Sequence, residues 1–137
     1  MSLKISKGEQ FELKAYVLSL APWKIFATFT FSRPRDEFTA QRRYQSFMDR
    51  VCPQVSHFYA VERNPSSAGH HIHAVWANCD DVVRHEVWRQ WFHQNGRNRI
   101  EPIKKQLGAA FYCAKYLVKG NVLWGQRIDT GQEIVRV

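Results

Sequence analysis

The chain has few cysteines and no long hydrophobic run, and both absences narrow the classes of protein to which it can belong. The three cysteines, Cys52, Cys79 and Cys113, are widely spaced and include no Cys-x-x-Cys pair, so neither a zinc knuckle nor a disulfide framework is expected. No apolar stretch approaches the roughly 20 residues that a membrane-spanning helix needs, and residues 1–4 lack the hydrophobic core of a signal peptide. We therefore expect a protein of the cytoplasm, or of the nucleus if its host has one, with no membrane partner.

The sequence also lacks low-complexity tracts, internal repeats and a nucleotide-binding loop. Its 137 residues, 45% of them hydrophobic, are enough for one core but not for two, so we expect a single domain over residues 1–137. Acidic residues are scarce, with 12 Asp and Glu against 20 Lys and Arg and a formal net charge of +8. This balance favours a polyanionic partner, with nucleic acid first; the alternative is a basic soluble protein without one.

The periodicity of apolar residues predicts helices and strands that alternate along the chain. The predicted helices cover residues 9–20, 37–51, a segment between an Asp80-Asp81 cap and Gly96 that carries five apolar residues, and residues 104–119. The predicted strands cover residues 23–31, 56–63, 70–76 and 97–103, with edge strands at 122–124 and 134–135. This pattern indicates an α+β fold with a central antiparallel sheet, flanking helices and one catalytic face.

Two of the predicted strands form a hairpin that assembles a candidate metal site. Residues 64–69 have the composition of a turn, so strand 56–63 and the histidine strand after it are antiparallel. Alternation puts His71 and His73 on one face and His70 on the other, and the hairpin brings Glu62 beside the pair. One carboxylate and two imidazoles suit Mg²⁺ or Mn²⁺ better than a closed structural zinc site. The alternative is one buried histidine, one exposed histidine and a solvated glutamate.

The last predicted helix carries a different chemistry. Tyr112, Lys115, Tyr116 and Lys119 follow the spacing i, i+3, i+4 and i+7 and therefore share one face. A separate apolar stripe is predicted to face the core: Leu107, Ala110, Phe111, Ala114 and Val118. A tyrosine hydroxyl becomes a nucleophile when its proton is drawn off, and Lys115 would assist by its positive charge. The alternative is that both tyrosines are half-buried packing residues with their hydroxyls at the rim.

In order and spacing these features resemble the His-hydrophobe-His replication initiator endonucleases of rolling-circle replicons. The strand at residues 26–31 is similar to the first motif of that family, His71-Ile72-His73 matches the second, and Tyr-x-x-Lys at residues 112–115 matches the third. The resemblance covers residues 23–119. It implies a ferredoxin-like or RNA-recognition-like sheet, with a divalent metal, Mg²⁺ or Mn²⁺, bound by the two histidines and Glu62, and a catalytic tyrosine on the C-terminal helix.

The resemblance also implies an activity, the site-specific nicking of single-stranded DNA at a replication origin, with or without a hairpin. Tyr112 would attack the phosphodiester and form 5′-phosphotyrosyl DNA, and the free 3′-hydroxyl would prime synthesis; the reverse reaction would join DNA ends. Lys115 would assist. Tyr116 makes the motif similar to that of two-tyrosine bacteriophage initiators, so it is either a second nucleophile or a packing residue. Because no nucleotide-binding loop is present, we expect a nuclease domain alone or an initiator that uses a host helicase.

Basic residues near the three motifs are candidates for contact with the DNA backbone. They are Arg33, Arg35, Arg63, Lys104, Lys105 and Lys119. A conjugative relaxase or a single-tyrosine transposase would use the same chemistry, although relaxases place the tyrosine near the N-terminus and use three histidines. Two alternatives come from other classes: a non-catalytic nucleic-acid-binding module with an RNA-recognition-like sheet, and a structural metal-binding protein.

Overall fold

The computed structural model of the chain describes residues 6–105, 107–118 and 122–128. These residues form four helices and a five-stranded antiparallel sheet with the strand order β4-β1-β3-β2-β5. In chain order the elements are α1 (Lys7–Leu20), β1 (Ile25–Phe29), α2 (Glu37–Val51), β2 (Ser56–Arg63), β3 (His70–Ala77), α3 (Arg84–Gln94), β4 (Asn98–Pro102), α4 (Gly108–Tyr112) and β5 (Leu123–Arg127). The predicted α+β fold with a central antiparallel sheet is confirmed, and the histidine strand lies at its centre.

Local capping explains where the first two helices begin. Ser6 and Glu9 form a reciprocal capping box at the start of α1, which satisfies two backbone amides that have no partner within the helix. At α2 the side chain of Asp36 accepts a hydrogen bond from the amide of Thr39. Because these signals are local in sequence, α1 and α2 match their predicted positions closely.

Alternation along the strands divides the buried side chains between the two faces of the sheet. On one face Ile25, Phe29 and Trp76 pack beneath α2 and α3. On the opposite face Phe26 and Phe58 pack with residues of α1 and of the α4 region. The second face is the one that carries the histidine pair, so the two-residue period of the strands decides which helices lie near the candidate metal site.

A buried hydrogen-bond chain crosses the first of these two cores. The indole N–H of Trp76 donates to the Tyr44 hydroxyl at 3.2 Å, and that hydroxyl lies 2.9 Å from Nδ1 of His57. Burial, with a smaller contribution from the positive charge of Arg127, lowers the pKa of His57 from 6.5 to about 3. His57 is therefore neutral in the folded protein at neutral pH.

The start of α3 differs from its prediction. The helix begins at Arg84, no side chain caps it, and Asp80 and Asp81 precede it. The amide of Val82 donates to the carbonyl of Cys79, and this turn keeps both aspartates outside the helix. The predicted cap at Asp80-Asp81 is therefore wrong. The turn between Cys79 and Val82, which follows directly after β3, places both aspartates before the first residue of the helix.

The predicted helix over residues 104–119 is shorter and less regular in the structure. The α-helical part covers only Gly108–Tyr112, and a π-helical segment, Cys113–Leu117, continues it. Gly108 has φ +73, a left-handed conformation that interrupts a right-handed helix. Lys119, at the predicted end of the helix, lies outside the described residues.

The tail supplies the fifth strand. The edge strand predicted at residues 122–124 is β5, which pairs with β2, while the one predicted at 134–135 falls outside the described residues. In the part of the chain that the structure covers, no helix has the length and apolar character needed to cross a bilayer.

Candidate metal centre and adjacent tyrosines

The hairpin of β2 and β3 brings the three predicted metal ligands together. Glu62 lies directly opposite His71 in the antiparallel register, and His73 follows two residues later on the same face. Oε1 of Glu62 is 3.2 Å from Nε2 of His71 and 3.8 Å from Nε2 of His73. The two Nε2 atoms are 3.1 Å apart. Three donor atoms from two adjacent strands therefore converge on one point above the sheet.

These separations fit a single divalent ion. Adjacent ligand atoms at about 2.1 Å from an octahedral ion lie about 3.0 Å from one another. The three donor atoms all lie within 4.8 Å of one another, and both imidazoles are buried while Glu62 is half-buried. The group of Glu62, His71 and His73 can therefore hold a metal ion and leave coordination positions on its solvent side.

Hydrogen bonds at Nδ1 orient both imidazoles. Nδ1 of His71 is 2.8 Å from Oδ1 of Asn64, and Nδ1 of His73 is 3.1 Å from Oγ1 of Thr28. When each Nδ1–H donates to these oxygens, the Nε2 lone pairs are directed toward the candidate ion position. The strand pattern assigned Asn64 to a turn and Thr28 only to a strand face. The positions of Asn64 and Thr28 are the feature that could have identified them. Asn64 follows Glu62 by two residues, and Thr28 lies directly opposite His73 in the antiparallel pairing of β1 and β3.

Both tyrosines of the third motif pack on the face of the sheet that carries the histidines. The ring centroid of Tyr116 is 4.7 Å from that of His73 and 4.8 Å from that of Phe26. The ring of Tyr112 is 4.8 Å from Phe26 and 6.4 Å from Tyr116. Tyr112 is only 5% exposed, and its hydroxyl oxygen lies 3.5 Å from the amide nitrogen of Lys104. Tyr116 is thus the tyrosine in contact with a candidate ligand, and Tyr112 lies one ring further away.

The buried side of this segment is not the predicted one. Leu107, Ala110, Phe111 and Ala114 are exposed, and of the predicted stripe only Val118 is buried. The residues that pack against the sheet are Tyr112, Cys113 and Leu117 with Val118, and Tyr116 is partly buried against them. The predicted apolar stripe holds only for a straight α-helix, and the π-helical turn at Cys113–Leu117 changes which side chains share a face. Tyrosine rings also bury far more apolar area than alanines do.

Lys115 lies on the solvent side of the tyrosines. Its ammonium nitrogen is 5.2 Å from the ring centroid of Tyr116 and 5.5 Å from that of Phe111. The side chain is exposed, so the positive charge stands over Tyr116 without being buried. An anion that approached the ring of Tyr116 from solvent would meet this charge.

Three of the predicted DNA-binding residues lie at the end of the sheet that carries the candidate metal ligands. Arg63 is the last residue of β2, directly after Glu62. The carbonyl oxygen of Arg35 accepts a hydrogen bond from Nδ1 of His70 at 2.8 Å, which holds the loop with Arg33 and Arg35 against the start of β3. That contact also turns His70 away from the ligand group, as the strand alternation predicted.

The other predicted DNA-binding residues are further from the ligands. Lys104 and Lys105 are exposed just after β4, where the amide of Ile103 donates to the carbonyl of Lys24. This is the opposite end of the sheet from the histidine pair, because Lys24 precedes β1. Lys119 lies outside the described residues, so its predicted role stays a prediction.

Two arginines that the sequence did not single out lie closer to the site. Arg99 pairs with Thr28 across β4 and β1, and Arg97 and Arg99 line a groove of about 240 Å³ with Thr28, Thr30 and Asn98. Thr28 is a hydrogen-bond partner of the candidate metal centre, so this groove begins beside it. Only the pairing of β4 with β1 reveals the connection, since these residues are far apart in sequence.

Comparisons of the chain with family models, curated proteins and solved structures found no match. The functional interpretation therefore rests on the geometry of the ligand group and of the tyrosines beside it. These features combine a group that could hold a metal ion with two tyrosine side chains and an exposed ammonium group.

Proposed function

We propose that this chain is a metal-dependent, site-specific endonuclease and strand-transferase that acts on single-stranded origin DNA through a tyrosine nucleophile and so initiates rolling-circle replication. One observation carries the proposal: the ring of Tyr116 contacts His73, a member of the group that can hold an ion. A phenol beside a divalent cation is a combination suited to attack on a phosphodiester. The basic net charge supports a nucleic acid as the substrate.

The residues of the site divide the reaction between them. Glu62, His71 and His73 would hold Mg²⁺ or Mn²⁺, which when bound supplies positive charge to the non-bridging oxygens of the scissile phosphate. The tyrosine oxygen forms a bond to phosphorus as the bond to the 3′ oxygen breaks, and the phenolic proton is transferred to that departing oxygen to give the free 3′-hydroxyl. The Lys115 ammonium stabilises negative charge on the phenol oxygen and the phosphate. Reversal by a second 3′-hydroxyl joins DNA ends.

The two tyrosines have different surroundings, and these favour a division of roles. Tyr116 is the nearer to the ligand group, while Tyr112 is 5% exposed with its hydroxyl beside the amide of Lys104. We propose that Tyr116 attacks first and that Tyr112 acts only after the α4 segment shifts. The prediction from the sequence motif, Tyr112 as the principal nucleophile, is the competing assignment that the experiment must separate.

The experiment is a covalent-adduct assay with the full chain. Labelled single-stranded oligonucleotides of varied sequence are incubated with the protein and Mn²⁺ and then resolved on a denaturing gel. We expect a protein–DNA band that disappears with chelator and in Tyr116→Phe. Tyr16→Phe is the matched control, because Tyr16 is an exposed tyrosine whose hydroxyl donates to Gln126 away from the site.

Each outcome assigns a role. A band that is lost in Tyr112→Phe and kept in Tyr116→Phe would identify Tyr112 as the nucleophile, as the sequence motif predicts. Loss of the band in both variants would mean that the reaction requires both tyrosines. DNA binding without any band would favour the non-catalytic binding module. Tight zinc binding without any response to DNA would favour a structural metal protein. A relaxase or transposase would form the same adduct but on different DNA sequences.

A further inference from the structure

Helix α3 presents an exposed stack of aromatic rings at the edge of the sheet. The rings of His85 and Trp88 have centroids 5.9 Å apart and planes at 10°, and those of Trp88 and Phe92 are 5.1 Å apart at 14°. Trp88 is 36% exposed and Phe92 is 46% exposed, whereas Val87 and Trp91 on the same helix are buried. We call His85, Trp88 and Phe92 the α3 ring stack. Core packing explains Val87 and Trp91 but not these three nearly parallel rings in solvent.

Hydrogen bonds fasten the α3 ring stack to strand β4. The indole N–H of Trp88 donates to the carbonyl of Asn98 at 3.0 Å, and the side-chain amide of Asn98 donates to the carbonyl of Trp88 at 3.0 Å. Arg97 and Arg99 flank Asn98 and line the groove that begins at Thr28. Because side chains alternate along a strand, Arg97 and Arg99 lie on the face that carries Thr28 and the candidate metal centre, whereas Asn98 and α3 lie on the opposite face. A DNA strand that ran from the centre to the ring stack would therefore pass the arginines and turn around the edge strand β4.

The positive charges of Arg97 and Arg99 indicate the kind of partner that this surface would bind. The side chain of Arg99 is 74% exposed, and its Nε lies 4.0 Å from a carboxylate oxygen of Glu101. Arg97 is likewise exposed. Guanidinium groups on one side of the β4 edge and flat ring faces on the other match the two parts of a nucleotide, since phosphate pairs with the guanidinium and the base stacks on the ring. An apolar protein segment would make no use of the arginines.

We propose that the α3 ring stack, with Arg97 and Arg99, binds single-stranded DNA that flanks the reaction site. The bases stack on the rings and the phosphates contact the guanidinium groups. The inference rests on the proposed function, because it extends the path of the same DNA substrate. Stacking on an aromatic face tolerates any base, so this surface contributes affinity and the path of the strand but not the choice of origin sequence.

The test measures the affinity of the full chain for labelled oligo-dT by fluorescence anisotropy, with long oligonucleotides and with matched ones that carry abasic positions. We expect Phe92→Ala to bind the long DNA roughly tenfold more weakly than the wild type. Abasic positions should weaken the binding of the wild type. At the position whose base stacks on Phe92, removal of the base should weaken wild-type binding but should not change the affinity of Phe92→Ala. Replacement of Arg97 and Arg99 by alanine should reduce the slope of log affinity against log salt by about two.

Phe38→Ala is the matched control, because Phe38 is an exposed phenylalanine of α2, at 55%, and lies on another surface. Equal binding by the wild type, Phe92→Ala and Phe38→Ala would overturn the inference. So would a change in sedimentation of Phe92→Ala without a change in DNA affinity, since the stack would then be a contact between protein copies. Thermal melting of each variant verifies that its fold is retained.

The adduct assay with a short oligonucleotide separates this inference from the proposed function. If Phe92→Ala forms the adduct as the wild type does and also keeps its affinity for long DNA, only the ring-stack inference fails. If the wild type forms no adduct but the loss of affinity in Phe92→Ala persists, the nuclease proposal fails and the ring stack stands as a DNA-binding surface.

Discussion

Individual hydrogen bonds decide whether the two histidines act as ligands or as ordinary core residues. His71 and His73 are buried, and an imidazole in the interior presents either nitrogen to its neighbours. Here Asn64 and Thr28 engage the Nδ1 atoms, which leaves both Nε2 atoms beside Glu62. The residues that orient the ligands are therefore as important to the site as the ligands themselves.

Thr28→Val tests this orientation. The substitution keeps the shape of the side chain but removes the oxygen that holds Nδ1 of His73, and we expect affinity for Mn²⁺ to fall by about tenfold or more. Thr30→Val is the control, because the Thr30 hydroxyl donates to the carbonyl of Arg97 and not to a ligand. Titration calorimetry measures both, with His71→Ala as the benchmark for loss of the site. Equal affinities of the two threonine variants would contradict the assigned role of Thr28.

At the scale of secondary-structure elements, the segment that carries the tyrosines is the least regular part of the site. A short α-helix and one π-helical turn replace the long helix that its composition predicted. The left-handed Gly108 sets where this segment starts. The aromatic side chains then pack on the sheet, and this directs Tyr116 toward His73. Backbone conformation at one glycine thus influences the position of a candidate nucleophile.

Gly108→Ala measures the contribution of that conformation. A Cβ at Gly108 would meet no atom within 4 Å, so the cost is that of a left-handed backbone alone, about 1 to 2 kcal/mol in the free energy of unfolding. Gly8→Ala is the matched control. Gly8 lies within α1 without a positive φ, and alanine there should stabilise the protein by up to about 1 kcal/mol. Urea unfolding monitored by circular dichroism compares them, and a neutral Gly108→Ala would refute the argument.

On the scale of the whole molecule, the sheet separates two hydrophobic cores, and only one of them adjoins the candidate metal centre. The core beneath α2 and α3 contains the chain from Trp76 through Tyr44 to His57 and takes no part in the site. The opposite face combines apolar packing with the candidate metal ligands and the tyrosines. Stability that depends on the first core can therefore be measured separately from the chemistry on the second face.

Acid should weaken the folded protein through His57. Its pKa is lowered from 6.5 to about 3 by burial, so between these values the unfolded chain binds a proton that the folded chain does not. Stability is therefore retained above pH 6.5 and lost as the pH falls, by about 2 kcal/mol between pH 6 and pH 4.5. Urea unfolding across this range should show a shallower pH dependence for His57→Gln than for the wild type. The exposed His93→Gln should leave that dependence unchanged, and a similar slope in all three proteins would contradict the prediction.

The candidate metal group could be predicted from the sequence because its determinants are local. Strand alternation put His71 and His73 on one face, and a short turn between two strands placed Glu62 opposite them. The structure confirms this register. Neither inference needed any knowledge of distant contacts, since both depend on the period of a strand and on the length of one loop.

What the sequence determined by itself was the order of the elements, the two faces of each strand and the ligand group. Tertiary structure alone decided which side of the tyrosine segment is buried, that Tyr116 contacts His73, and that Arg99 lies beside Thr28. The reason is physical. The free energy that selects these arrangements comes from packing between elements distant in the chain, and it outweighs the local helix preference that predicted a different buried face.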